Sequence, residues 1–286
     1  MSRPYRRPTD GWEDPAPSGM PQLALPRMTK AVRRLMIANG VVYAIAFAIF
    51  LASEETWVTI QQTLGLRPSA WIGAFPLVPL WQPITYGFLH SIGDPWHLIN
   101  NLLVLYFFGT MLEEIVGTRR FVVAYFSAQL LGALFFLLPG VLQKSPIPAI
   151  GASGAVYGVM IAVATLRPLQ RVILLFIPLT LRTLALIVIG VTVFSAALQW
   201  KQGGGGGTAH LVHLGGIAYG YLAVKLRWLY FDPFDALARA RVRRDSERKE
   251  SDQARVDALL DKIHREGMAS LTSGEREFLK RVSSRR

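Results

Sequence analysis

The sequence predicts an all-α, polytopic membrane protein. Three observations lead there. Hydrophobic residues make up 51% of the 286 positions and charged residues only 17%, the apolar residues fall in blocks of spanning length, and the basic residues gather at the flanks of those blocks. A soluble domain carries about 25% charged residues, so this chain lacks the charge to cover a water-facing surface. A helix needs about 20 apolar residues to cross a bilayer, and blocks of that order replace the single apolar stripe of a soluble helix.

Taken in order, residues 1–30 hold Pro, Gly and charge without periodicity and read as a disordered basic tail. Residues 31–230 read as a membrane domain of six spans, near 35–52, 96–112, 121–142, 152–166, 180–199 and 209–228. The segment 53–95 is too apolar for an ordinary loop. Its Trp57, Trp71, Trp81, Phe75 and Phe88, broken by prolines, suit a partly embedded structure packed on the bundle. Val172–Leu179, apolar but interrupted by Pro178, is expected at the interface. Residues 231–250 read as a basic linker and 251–286 as a helical hairpin. Val256, Leu259, Leu260 and Ile263 share one helical face there, Gly267 ends that helix, and Thr272 with Glu275 forms a capping box before Phe278, Leu279 and Val282. A core this small folds poorly alone, so the hairpin is expected to dock or self-associate.

The net charge of +12 does not make this a nucleic-acid binder. Its cations flank hydrophobic segments, where they orient the chain and meet anionic headgroups of the lipid bilayer. Arg119 and Arg120 mark the second connection and Arg167 and Arg171 the fourth, whereas the first, third and fifth hold only Arg67, Lys144 and Lys201. The even connections and both termini are therefore expected on the cytoplasmic side, in a bacterial plasma membrane. With no cysteine, disulfides, thiolate metal sites and a thiol nucleophile are excluded. The first apolar run opens only near residue 35, so no secretory signal is expected.

Polar residues inside spans are expensive and mark function by default. Gly151-Ala-Ser153-Gly154 opens the fourth span and sets a hydroxyl beside the unpaired N–H groups of a helix N-terminus, where an oxyanion can be held. Gly151 also permits close approach of a scissile backbone, and Tyr157 lies one turn on, on the Ser153 face. Alone, Gly-x-Ser-Gly favours simple helix packing. Its partner is the sixth span, where His213 sits one turn above Gly216. Gly154 with Gly158 and Gly216 with Gly220 form small-xxx-small faces, and their meeting would bring His213 to Ser153 as general base. His210 is the competing base. His97 and Asn101, four apart on the second span, could donate to the same oxyanion. A metal pair is disfavoured, because no carboxylate or cysteine stands near to complete it.

These pieces, His97-Leu-Ile-Asn-Asn101, Gly151-Ala-Ser-Gly-Ala-Val-Tyr-Gly158 and His213-Leu-Gly-Gly216 followed by Gly220, resemble the rhomboid proteases over about 35–228. The resemblance implies a Ser153–His213 dyad without an acidic third member, needing no cofactor and no metal. It implies that Tyr157 stacks on His213, and that His97, Asn101 and the Ser153 N–H hold the oxyanion. The substrates implied are single-span membrane proteins; the resemblance carries no oligomeric state. Two departures stand out: Trp81-Gln82 where many members have Trp-Arg, read as variation at a structural position, and Gly203–Gly207 in the fifth connection, read as a very mobile lid. The hairpin resembles a module appended to some bacterial rhomboids. A non-cleaving relative, or a transporter relaying protons through histidines, are the other readings. The dyad residues speak against the first and the lack of an apparent buried acid against the second.

Overall fold

The structure, a computed structural model, describes residues 26–73, 77–174, 177–201, 209–230 and 232–283. The tail as far as residue 25 and the Gly203–Gly207 lid lie outside the described residues. Four described helices are long and apolar enough to cross a membrane: α1 (Lys30–Ala52), the rod formed by α5 (Pro95–Val104) and α6 (Thr110–Val116), α7 (Thr118–Leu142), and α9 (Leu181–Lys201) through Leu198. A π-turn at Leu105–Gly109 joins α5 to α6. Two shorter helices, α8 (Ser153–Leu166) and α10 (Ala209–Lys225), complete the packed centre.

α8 is that centre. Every residue from Gly154 to Ala164 except Tyr157 is buried, as a helix apolar on all sides must be, and it packs on α7, α9 and α10. Lipid offers no hydrophobic drive between helices, so close dispersion contact between small residues holds them. The glycines give that contact: a methyl on Gly216 would overlap the Gly154 carbonyl, and one on Gly220 the Gly158 carbonyl. α7 joins the same seam, for a methyl on Gly158 would fall 2.5 Å from Ala128 Cβ and one on Gly215 2.7 Å from Gly132 Cα.

Residues 26–29, within the expected tail, are described, and α1 begins at Lys30. It starts there because a carboxylate from far along the chain caps it. Glu113 on α6, 4% exposed, accepts from the N–H groups of Ala31 (3.0 Å) and Val32 (3.0 Å) and from the hydroxyls of Thr29 (2.5 Å) and Thr118 (2.8 Å). An anion at a helix N-terminus satisfies its orphan donors and its dipole. Pro26 is held too, its carbonyl accepting from Tyr106 Oη at 2.6 Å. Glu113 also corrects the expectation that no acidic residue is buried. Its neighbours show it to be a structural cap.

Segment 53–95 contains short helices α2 (Glu54–Leu64), α3 (Pro68–Gly73) and α4 (Gln82–Thr85). Gln82, 2% exposed, ties them: its Oε1 accepts from Arg67 N and Trp71 Nε1, both at 3.1 Å, and its Nε2 donates to the Thr63 carbonyl at 3.2 Å. At this position the amide is a buried three-way staple. Trp81 donates to the same Thr63 carbonyl at 2.9 Å. Phe75 lies outside the described residues.

The described residues of the segment expected at the interface pair as antiparallel strands β1 (Arg171–Leu174) and β2 (Ile177–Thr180), with Val172 opposite Leu179. Its β-branched, aliphatic run suits a pleated surface better than a helix. From Pro233 the expected linker is helical and runs unbroken into the first arm of the hairpin within α11 (Pro233–Glu266); its Arg, Glu, Lys and Ala content has good helix propensity. Gly267, at φ 81°, ends α11, and α12 (Ser273–Ser283) opens on the capping box: Thr272 N donates to Glu275 at 2.7 Å and Glu275 N to Thr272 Oγ1 at 3.3 Å. Leu259, Leu271 and Phe278 form the small core, with Val256 and Ile263 packed on it. Leu260 departs from expectation at 53% exposed, since one residue's rotation of about 100° turns it off that face.

Candidate active site

The chain entering α8 is bound to the segment before α5. Leu66 and Ala149 exchange both backbone hydrogen bonds at 2.9 Å, and Gly151 N donates to the Tyr86 carbonyl at 2.9 Å. Gly151 has φ 120°, a conformation open to glycine and costly for other residues. Nor is there room for a side chain, since a methyl group would fall 2.6 Å from His97 Nε2. The His97 imidazole thus lies against the backbone two residues before Ser153.

Ser153 begins α8, where the first N–H groups of a helix have no acceptor within it. His213 comes from the second turn of α10, and its Nε2 lies 2.7 Å from Ser153 Oγ. Which atom carries the proton depends on the imidazole tautomer. The Tyr157 ring stacks on His213, centroids 4.3 Å apart and planes within 8°. Stacking of this kind is worth about 1 kcal/mol and fixes the imidazole plane. His210 meets His213 edge-on at 6.0 Å. The hydrogen bond to Ser153 is made by His213 alone of the two.

Asn101 is buried at 7% exposure, and its Nδ2 donates to the His97 carbonyl at 2.8 Å. One of its two amide N–H groups is therefore committed to its own helix, an i to i−4 bond that the sequence spacing permits but does not announce. Gly154, Gly158, Gly216 and Gly220 all lie in the α8–α10 seam. Among the described residues, no group of three or more His, Asp or Glu is placed to hold a metal.

Two neighbours escape a motif-based reading. His90, 1% exposed, sets its ring 5.1 Å from that of His97; its Nδ1 lies 3.4 Å from the Phe88 carbonyl, and its Nε2 has no hydrogen-bond partner among the described residues. Tyr86, buried, donates from Oη to the Gln129 carbonyl at 2.8 Å while its own carbonyl takes Gly151 N. His90 had a signal, being an apolar-segment histidine seven residues before His97. Tyr86 had none, because both its bonds run to backbone groups distant in sequence. Together the side chains form a serine paired with an imidazole, at a helix N-terminus lined by a second imidazole. That arrangement can support acyl transfer.

A family model described as "Rhomboid domain" matches residues 79–230, more than half of the chain, and one described as "Family of unknown function (DUF6576)" matches residues 243–285. Rhomboid protein 1, mitochondrial, of Saccharomyces cerevisiae is 33% identical over 131 residues, 44% of this chain and 36% of that protein. Rhomboid-like protease 3 of Toxoplasma gondii is 30% identical over 131 residues, 46% of each. The presenilin-associated rhomboid-like protein, mitochondrial, of Rattus norvegicus is 30% identical over 128 residues, 44% of this chain and 33% of that protein. The match thus spans less than half the length of each of these curated relatives.

Proposed function

The chain belongs to the rhomboid family of intramembrane proteases and their non-cleaving relatives, and from that premise we propose that it cleaves, with Ser153 as nucleophile and His213 as general base. It is an integral, multi-pass membrane protein. The observation that carries the proposal is the 2.7 Å contact between His213 Nε2 and Ser153 Oγ, held in plane by Tyr157.

In the proposed reaction, Ser153 Oγ attacks the scissile carbonyl as His213 Nε2 takes its proton. The oxyanion that forms is met by the Ser153 N–H, by His97 beside Gly151, and by the uncommitted N–H of Asn101. His213 then returns the proton to the leaving amine, and water, activated by the same imidazole, hydrolyses the acyl-enzyme. On this reading the chain crosses a bacterial plasma membrane six times with both termini on the cytoplasmic side, as its flanking cations favour, and Ser153 lies towards the opposite face. The mitochondrial locations in two of the relatives' names are properties of those proteins. Single-span substrates would enter sideways and unwind, and Gly, Ala, Ser or Pro near the outer interface makes unwinding cheapest.

The test is purified full-length protein, wild type and Ser153→Ala, incubated with a tagged single-span substrate and with a fluorophosphonate probe. Cleavage and labelling should be present in the wild type and absent in Ser153→Ala. Persistence of both in Ser153→Ala removes the dyad; absence of both in well-folded wild type favours the non-cleaving relative.

A further inference from the structure

Topology puts the start of α7, the end of α10 and the start of α11 at the end of the bundle away from Ser153. Trp228 and Tyr230, 48% and 45% exposed, stand there in a short 3₁₀ turn packed on α7 and α10. Trp and Tyr side chains favour the membrane–water boundary, and a junction at headgroup level would suit both. A groove of about 330 Å³ opens beside it, lined by Thr118, Arg119, Val122 and Val123. Among its described lining residues a guanidinium and two valines stand one helical turn apart on α7. Arg119 meets Asp235 of α11 at 3.6 Å, and both side chains are exposed. Such a pair contributes little, and the guanidinium has five N–H groups.

Beyond Asp235, α11 carries Arg239, Arg241, Arg243, Arg244, Arg248 and Lys249, all exposed. Asp245 and Glu247 are the acids in the same stretch, and Arg243 is engaged by Glu247 at 2.8 Å. The other five cations make no ion pair among the described residues. They are spread around the helix rather than set opposite an apolar stripe, so they are not the outer face of a helix docked on protein. What they fit is a polyanion reached from the junction.

We propose that this junction binds anionic phospholipid, the phosphate at Arg119 and the basic band of α11, an acyl chain along Val122 and Val123. Nucleic acid would use the cations and leave the valine-lined groove without purpose, whereas a phospholipid uses both. Cations close to an anionic leaflet attract it with a strength that falls off within a Debye length. The site thereby gives the α11–α12 module a reason to be appended to a membrane domain, and it does not depend on the Ser153 chemistry.

Full-length protein in detergent is titrated with phosphatidylglycerol or with phosphatidylcholine, and bound lipid is counted by native mass spectrometry. Phosphatidylglycerol should bind in preference, less so in added salt. Arg119→Gln should weaken it about fivefold, and Arg119→Lys should retain much of it. A combined Arg239→Gln, Arg241→Gln, Arg244→Gln, Arg248→Gln variant should abolish the preference with no change in the thermal unfolding midpoint, since glutamine is a good helix former. Equal binding of the two lipids by wild type, or an undiminished preference in both the Arg119→Gln and the combined variants, overturns the proposal. So does a duplex oligonucleotide that binds wild type more tightly than phosphatidylglycerol and is lost in the combined variant.

Discussion

His213 touches Ser153 and is clasped by Tyr157, while His210 touches only the edge of His213. Substitution therefore should separate the two histidines. His213→Ala should lower kcat by at least about 10⁴-fold, and His210→Ala should leave it near wild type; comparable losses in both would reassign the base. Tyr157 acts through its ring plane, so Tyr157→Phe should keep most of the turnover and Tyr157→Ala should lose more in kcat than in KM. Equal losses in Phe and Ala variants would point to the hydroxyl instead. The pairing of Ser153 with His213 could be inferred from glycine spacing and family resemblance. Asn101 was less legible, because the amide bond to its own helix depends on a rotamer choice that spacing leaves open. His90 and Tyr86 were not legible as site neighbours, since their placement comes from chain segments folded back on each other.

The α8–α10 seam sets the site's dimensions at the level of elements. Gly216→Val should be more harmful than its small volume suggests, because the side chain meets the Gly154 backbone rather than a movable side chain. Overpacking of this kind costs about 1–3 kcal/mol. Here it should also part Ser153 from His213, seen as slower fluorophosphonate labelling than in Gly40→Val on α1, where nothing lies within 4 Å. Equal labelling in the two would mean the seam does not set the dyad. In the hairpin, the Thr272 N–H and hydroxyl and the Lys262 ammonium hold the Glu275 carboxyl below the usual carboxylate range. A lowered folded-state pKa gives stability that is present above the unfolded pKa and lost as pH falls through the folded one. Hydrogen exchange of α12 amides should thus be faster in Glu275→Gln than in wild type at neutral pH. That difference should vanish once acid has protonated Glu275, and a difference persisting in acid would break the link to ionisation. Capping box and stop glycine were legible because they are local. The α1 cap was not, since Glu113 acts on Ala31 across 82 residues.

For the whole molecule, α8 is the telling dimension. Its 14 residues span roughly 21 Å, less than the roughly 30 Å of a bilayer's hydrocarbon, so a serine at its end need not stand at the membrane surface. Sidedness can be measured cleanly, because the chain has no cysteine. A membrane-impermeant maleimide added outside intact cells should label Lys144→Cys and spare Ser251→Cys, with the reverse in inverted vesicles. Labelling of both from one side would overturn the orientation. A substrate panel cut equally well after its small residues near the outer interface are replaced by leucine would remove the unwinding requirement.

The sequence alone determined the class of this protein. Block hydrophobicity and charge placement are set by the solvent a segment must meet, and three motifs in order name the family without any contact being known. Only the tertiary structure decided what depends on segments meeting. It showed that Gln82 staples the early loop, that Glu113 caps α1, and that a third helix joins the glycine seam through Ala128 and Gly132. The physical reason is range. Periodicity, capping and turn chemistry act over a few residues, whereas a buried amide or carboxylate takes its meaning from whichever backbone groups the fold leaves unsatisfied beside it.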